Sequence, residues 1–306
     1  MSKVKETIKI ILVVAVLAVG VFLGVNYLLH PQNESATTTP TTTKKTTAKK
    51  TPHKAKINLV AVGDSLTEGV GDESEGGYVG QIKKTLTTKQ KLKVTTTNAG
   101  KSGDRSDQIL ARINKSKVLQ QKIAKADVIT VTVGGNDLLQ TLEGSLTSNN
   151  TAKNNATVAK AQTLYANKLT KLFNKLQSLN GTASVFVFSI YNPIYVNFPN
   201  VTSITHYISQ WNDQTQTTVS QYKHTYFMDI NWTMSHGQYK TAAQIRKLKK
   251  AASATTLTSS KAITGALETE NKTNDLISTA DNFHPNKRVY RVFTTKLYQT
   301  MMAHDA

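Results

Sequence analysis

The sequence contains no cysteine, which excludes disulfide bonds and metal sites built from thiolates. Acidic residues are also scarce, because 19 Asp and Glu stand against 38 Lys and Arg and give a formal net charge of +19. Such a charge favours anionic surroundings such as acidic lipid or cell-wall polymers, and it says little about the fold. We expect no nucleic-acid partner, because no recognition motif accompanies the basic residues.

Long apolar runs are also missing, with one exception at residues 8–29, which follow Lys3 and Lys5. At about 1.5 Å per residue this run is long enough to cross a hydrocarbon core of about 30 Å. A cleaved signal peptide is the alternative, but its apolar region is usually about 7–15 residues long, and no clear cleavage site follows Leu29. We predict a short cytoplasmic segment (1–7) and a transmembrane signal-anchor helix (8–29). The lysines before the helix predict a single-pass membrane protein with its remaining chain extracytoplasmic, or secreted if the segment is cleaved.

Residues 30–56 are rich in Thr, Lys and Pro and show no apolar periodicity. A segment of this composition cannot bury enough apolar surface to offset its ordering entropy, so we predict a disordered linker. Its lysines keep the chain solvated and extended, or they attract anionic lipid headgroups or wall polymers. These lysines are Lys44, Lys45, Lys49, Lys50, Lys54 and Lys56.

Short β-branched runs alternate with longer helical patterns over residues 57–306. Strands are predicted at 57–62, 92–97, 127–133, 184–190 and 225–230. Helices are predicted at 77–90, 104–124 with a break near Lys115, 158–180, 204–222 and 285–302. Strands that are apolar on both faces and alternate with helices indicate a parallel sheet covered on both sides. We therefore predict one α/β domain, a three-layer α/β/α structure with a five-stranded parallel sheet. Residues 140–157 and 231–280 are predicted as loops or small helices.

Small and polar residues follow the first three predicted strands, with Ser65 after the first, Gly100 after the second and Asn136 after the third. Ligands bind beyond the carboxyl ends of the strands in such sheets, so these residues are expected at one site. A serine nucleophile needs a base, which His284 supplies, and an acid such as Asp281 to orient that base. The backbone N–H groups of Ser65 and Gly100 and the amide of Asn136 would stabilise an oxyanion. Alternatively, Ser65 only caps a helix.

Four motifs carry these residues in one order along the chain: VAVGDSL, NAGKSGD, GGND and DNFHPN. From about residue 57 to its C-terminus the chain resembles the SGNH, or GDSL-type, esterase/lipase superfamily, closest to bacterial membrane-attached or secreted acylhydrolases. The resemblance implies a flavodoxin-like fold, a triad of Ser65, His284 and Asp281, and no metal or other cofactor. It assigns the family's oxyanion glycine and asparagine to Gly100 and Asn136.

The expected function is therefore that of an extracytoplasmic serine esterase or lipase acting on small-molecule or lipid esters. One alternative keeps the chemistry but takes O-acetyl groups on cell-wall glycans or related polymers as substrate. Another is a non-catalytic surface-binding module that uses the basic linker. Four aromatic residues either line an acyl pocket or pack in the core: Tyr191, Tyr195, Phe198 and Trp211.

Overall fold

The computed structural model describes residues 55–145, 151–252, 274–278 and 280–306. They belong to a compact unit, Pro52–Ala306, which contains its own hydrophobic cores and can therefore fold by itself. The other unit, Met1–Thr51, lies outside the described residues, and with it the predicted cytoplasmic segment, signal-anchor helix and most of the linker. Within the described ranges, no helix combines the length and apolar character that crossing a membrane requires.

Five parallel strands form one sheet in the order β2-β1-β3-β4-β5. They are β1 (Lys56–Gly63), β2 (Lys93–Gly100), β3 (Val128–Thr132), β4 (Ser184–Phe188) and β5 (Thr225–Met228). This confirms the predicted five-stranded parallel sheet. The order is that of flavodoxin-like doubly wound folds, in which the chain reverses direction across the sheet between β1 and β3. Ligands in such folds bind at that switch point, so residues after β1 and β3 are well placed for a site.

The helices of the described ranges connect the strands and cover the sheet. They are α1 (Ser65–Glu68), α2 (Gly77–Lys89), α3 (Ser106–Lys115), α4 (Lys117–Ala124), α5 (Gly135–Ser145), α6 (Thr151–Leu179), α7 (Thr202–Val219), α8 (Asn231–His236), α9 (Ala242–Ala251) and α10 (Lys287–Ala303). The predicted break near Lys115 is present. It falls at Ser116, whose side chain accepts the N–H of Leu119 at 3.2 Å and so starts α4.

Alternating strand residues divide the apolar interior into two cores, one on each face of the sheet. Val60, Val62 and Val131 pack with side chains from α3 to α7 on one face. Leu59 and Phe186 pack with side chains from α2, α8 and α10 on the other. Each fully buried side chain of this size contributes about 1.5–3 kcal/mol to folding. The two cores give the three layers that were predicted.

Several predicted boundaries differ from the structure by a few residues, and two of the differences have a clear cause. Residues 140–157 are predicted as loops or small helices, and α5 runs to Ser145 there, but the long helix α6 begins at Thr151 and not at residue 158. The sequence between Leu142 and Val158, which are both buried, is polar and rich in Thr and Asn, so it hides the start of α6. The last helix begins at Lys287 and not at Pro285, because Asn286 caps it by accepting the N–H of Val289 at 3.2 Å.

Candidate active site

Ser65 is the first residue of α1, directly after β1 at the carboxyl edge of the sheet, and is 5 % exposed. The residue that caps this helix is Asp64, whose Oδ1 accepts the N–H of Leu66 at 3.0 Å. The same oxygen accepts the hydroxyl of Thr132 at 2.7 Å, which ties the turn to the end of β3. The alternative in which Ser65 serves only as a helix cap is therefore wrong.

Asp64 is a buried carboxyl next to the candidate nucleophile. Burial raises its pKa, whereas hydrogen bonds from Thr132 and the Leu66 N–H, and the electrostatic effect of His284, oppose the rise. The Thr132 hydroxyl continues into a buried chain of hydroxyl groups through Thr67, at 2.8 Å, to Tyr78, at 2.9 Å. Because these contacts join α1 to β3 and α2, they fix the backbone that carries Ser65.

Asp281 and His284 form a pair in the turn that precedes α10. His284 Nδ1 lies 2.5 Å from Asp281 Oδ2, and Asp281 Oδ1 accepts the N–H groups of Phe283 and His284, each at 3.0 Å. Burial alone would raise the pKa of Asp281, but the hydrogen bonds from His284 and Phe283 outweigh it and lower the pKa. An ionised Asp281 thus orients the imidazole and holds a proton on Nδ1, which leaves Nε2 as the free base.

Phe283, which directly precedes His284, lines the same cleft as Ser65, so the Asp281–His284 pair lies near the candidate nucleophile. The described residues include no hydrogen bond between the Ser65 hydroxyl and the imidazole. Such bonds between catalytic groups are often long in the free enzyme and shorten when substrate binds.

Asn136 lies at the start of α5, after β3, and its amide donates to the carbonyl of Asp104 at 3.0 Å. An amide group carries two N–H bonds, so this contact leaves one donor available. The adjacent Asp137 accepts the N–H and the hydroxyl of Ser106 at 2.8 and 2.7 Å, which ties α5 to α3. Asn136 is therefore held by its own hydrogen bond to Asp104 and by the contacts of the adjacent Asp137.

The structure does not support Gly100 as an oxyanion donor. Its N–H already donates to Asn98 Oδ1 at 2.9 Å, and a Cβ there would collide with the backbone of Thr67 and Glu68. Because α1 packs directly on β2 at this point, there is no room for a side chain at residue 100, and glycine is required. Gly103 was absent from the predicted set, although it lies in the same motif. Its φ is +81°, it is exposed, and its N–H has no acceptor among the described residues.

Ser65 and Asn136 line the same open cleft. A second cavity adjoins it and shares Tyr191 and Phe283 as walls. Its lining is almost entirely apolar: Leu138, Leu139, Leu142, Ile190, Pro193, Ile194, Ile204 and Ile208. We call this second cavity the apolar groove.

Of the four aromatic residues singled out in the sequence, only Tyr191 lines the cleft and the groove. Tyr195 packs on His236, Phe198 packs against the core, and Trp211 stacks on Tyr165. The Tyr191 hydroxyl donates to the carbonyl of Phe283 at 2.8 Å and so holds the turn that carries the histidine. Periodicity could not reveal this contact, because 92 residues separate the two partners.

Arg112 is a second positioning residue that the sequence did not single out. Its guanidinium contacts Asp104 Oδ2 at 2.5 Å and donates to the carbonyls of Gly63 and Ala99, each at 2.9 Å. It thereby joins the ends of β1 and β2 to the loop that contains Gly103. Within the described ranges, no cluster of three or more His, Cys, Asp or Glu residues is arranged to hold a metal ion.

Comparison with known families agrees with this architecture. The family described as GDSL-like Lipase/Acylhydrolase matches residues 61–292, which include the end of β1, the other four strands and both parts of the site. The chain belongs to this family. It is therefore a carboxylic ester hydrolase, and the alternative of a non-catalytic binding module is wrong.

Individual relatives extend the comparison. The chain is 27 % identical to the uncharacterized protein YpmR of Bacillus subtilis over 82 % of this chain and 84 % of that protein. It is 42 % identical to the spore germination lipase LipC of Bacillus licheniformis over 88 residues, 28 % of this chain and 41 % of LipC. Among solved structures, the lipase Lip_vut3 from a goat rumen metagenome is 25 % identical. It has a TM-score of 0.51, and the match covers 69 % of this chain and 97 % of Lip_vut3.

Proposed function

We propose that the protein is an extracytoplasmic serine esterase that hydrolyses esters with an apolar acyl chain through an acyl-enzyme on Ser65. The observation that carries the proposal is that Ser65 and Asn136 share a cleft that continues into the apolar groove, with the Asp281–His284 pair nearby. An acyl chain bound in the groove would bring its ester carbonyl to Ser65. The similarity to LipC and Lip_vut3, which are named as lipases, supports the same substrate class.

In the proposed reaction the Ser65 hydroxyl attacks the ester carbonyl while His284 Nε2 takes its proton. Asp281 keeps the imidazole in the required tautomer and stabilises the imidazolium. The alcohol leaves with the proton from His284. A water molecule, deprotonated by His284, then attacks the acyl-enzyme and releases the carboxylic acid and free Ser65.

The negative charge on the carbonyl oxygen needs donors that are already in place. We assign this role to the N–H of Ser65, the second amide hydrogen of Asn136 and the N–H of Gly103. Gly103 replaces Gly100 in this role because its N–H is free and it precedes Asp104, whose carbonyl holds Asn136. Losing one such donor costs about 10²–10³-fold in kcat in another serine hydrolase.

An O-acetyl esterase acting on wall glycans is the second candidate. The basic linker supports it, since six lysines would retain the enzyme near anionic polymers. An acetyl group would fill only the cleft at Ser65 and leave the apolar groove empty. The acyl-chain preference therefore distinguishes the two functions.

The test uses residues 52–306 and p-nitrophenyl acetate, butyrate and octanoate. We expect kcat/KM to rise with chain length and to fall by orders of magnitude in Ser65→Ala. Ser74→Ala, which removes an exposed hydroxyl bound to Asp72, is the matched control and should retain full activity. Near-normal turnover by Ser65→Ala would overturn the nucleophile assignment, and a strong preference for acetate would favour the O-acetyl esterase.

The proposed location rests on the apolar run of residues 8–29 and the lysines before it. We expect the full chain in the membrane fraction, with its hydrolase domain accessible to protease added outside the cell. Recovery of the full chain in the cytosol would contradict the anchor.

A further inference from the structure

The segment from α8 to α9 carries a strong positive charge that the proposed reaction does not use. Residues 230–252 contain no Asp or Glu. Their basic residues are Lys240, Arg246, Lys247, Lys249 and Lys250, all exposed, and none of the ion pairs in the described part of the chain involves them. Together with Trp232 these residues define what we call the basic surface.

Helix α9 presents its charge outwards. Ile245 and Leu248 are half-buried on one side of the helix, whereas Lys247 and Lys250 lie three residues apart on a different side and are exposed. Cations on the exposed side of a helix attract the anionic headgroups of a bilayer surface.

An exposed tryptophan adjoins these cations. The Trp232 ring is 48 % exposed and stacks on His236, with ring centroids 4.6 Å apart. Lys240 follows this aromatic pair by four residues and leads into α9, which carries the other four cations. Tryptophan is enriched where protein meets the headgroups of a bilayer, because its ring is both apolar and a hydrogen-bond donor.

The basic surface lies at the same edge of the sheet as the ester cleft. Helix α8 follows the carboxyl end of β5, as Ser65 follows the carboxyl end of β1. Asn200 donates to the carbonyl of Lys249 at 3.0 Å and connects α9 to residues 189–201, which include walls of the apolar groove. A flat anionic surface bound there would therefore face the side of the domain on which substrate enters.

We propose that the basic surface docks the hydrolase domain onto an anionic lipid bilayer. The cations supply charge complementarity to the headgroups, at roughly fivefold in affinity for each lysine or arginine near the surface. A soluble polyanion would need only the cations, whereas a bilayer also accounts for the exposed indole beside them. The contact is separate from the predicted signal-anchor and the linker, because it uses residues of the domain itself.

The test measures binding of residues 52–306 to vesicles by flotation. One set of vesicles contains equimolar phosphatidylcholine and phosphatidylglycerol, and the other contains phosphatidylcholine alone. We expect binding to the anionic vesicles only. Removing two charges with Lys247→Gln and Lys250→Gln should weaken it by roughly 30-fold. The matched control is Lys122→Gln with Lys125→Gln, since these exposed lysines precede β3 at the opposite edge of the sheet.

Tryptophan fluorescence gives a second readout. The chain has two tryptophans, and Trp211 is buried, so a blue shift on vesicle addition would report Trp232 and should vanish in Trp232→Phe. The proposal is wrong if the fragment does not bind anionic vesicles, or if the Lys247/Lys250 variant binds as tightly as the parent. Equal affinity for soluble polyphosphate, without a blue shift, would indicate a polymer partner and also overturn it. None of these measurements depends on ester hydrolysis.

Discussion

Replacing Asp281 with asparagine tests the orientation of the candidate base with little change in shape. Asp281 Oδ1 accepts two backbone N–H groups of the turn, and Oδ2 faces His284 Nδ1. In Asp281→Asn, the amide oxygen would keep the two backbone bonds, and the NH₂ group would then face Nδ1. Because NH₂ can only donate, Nδ1 would have to accept, and its proton would move to Nε2.

The imidazole would then be unable to take the proton of Ser65. The same substitution in the triad of a serine protease lowers kcat by about 10⁴-fold, which corresponds to about 5 kcal/mol of transition-state stabilisation. We expect a loss of this order here, with KM little changed and the unfolding midpoint preserved.

The assay is p-nitrophenyl butyrate hydrolysis by residues 52–306, with urea unfolding measured in parallel. Asp275→Asn is the control, since this exposed residue of the same segment makes its hydrogen bonds through its backbone. A kcat for Asp281→Asn within about tenfold of the parent would refute the tautomer argument.

Three further predictions concern the site and its support. Gly103→Ala should lower kcat by about 10²-fold, because it displaces an oxyanion donor. Gly100→Ala should mainly lower the stability of the fold, by about 1–3 kcal/mol, because residue 100 contacts α1. Kinetics and urea unfolding distinguish the two effects, and the reverse pattern would restore Gly100 as the donor. Tyr191→Phe leaves the Phe283 carbonyl without its hydrogen-bond donor, so we expect the stability to fall by about 1–3 kcal/mol. We also expect a reduced kcat at unchanged KM, and an unaltered kcat would count against a positioning role for Tyr191. The hydrogen bond from Arg105 lowers the pKa of Asp107 to about 2, against the opposing effect of burial. This pair is partly exposed, so Asp107→Asn should cost less than about 1 kcal/mol at neutral pH. Because the native carboxyl has the lower pKa, this stability is fully present above the ordinary Asp pKa of 3.8. In urea titrations, the difference in stability between the parent and Asp107→Asn should therefore disappear as pH falls toward 2. A difference in stability between the parent and Asp107→Asn that persists at pH 2 would contradict this prediction.

The sheet could be predicted from the sequence because its strands are short, β-branched and separated by helices. Buried parallel strands have few polar positions, so runs such as VITVT in β3 stand out. The ends of α5 and α6 between residues 140 and 157 could not be predicted in this way, because the Thr- and Asn-rich stretch between Leu142 and Val158 carries little apolar signal. Tertiary packing and not local propensity determines their position.

Site residues could be proposed from the sequence where one residue type carries the chemistry, as with Ser65, Asp281 and His284, and their roles stay a prediction. The sequence could not identify the oxyanion donor of this motif, because that role depends on which backbone N–H group is free. Gly100 and Gly103 are three residues apart in one motif, and only the contact of Gly100 with Asn98 and α1 distinguishes them. The contacts of Tyr191 and Arg112 join distant parts of the chain and leave no local pattern in the sequence.

The central claim is that Ser65 is the residue that becomes acylated. The most direct measurement treats residues 52–306 with an alkyl phosphonate ester that carries a p-nitrophenyl leaving group, followed by mass spectrometry of the intact protein and its peptides. The account predicts one phosphonyl group per chain, located on Ser65, with release of p-nitrophenol and far slower labelling in His284→Ala. Labelling of another residue, or a folded chain that stays unmodified, would contradict it.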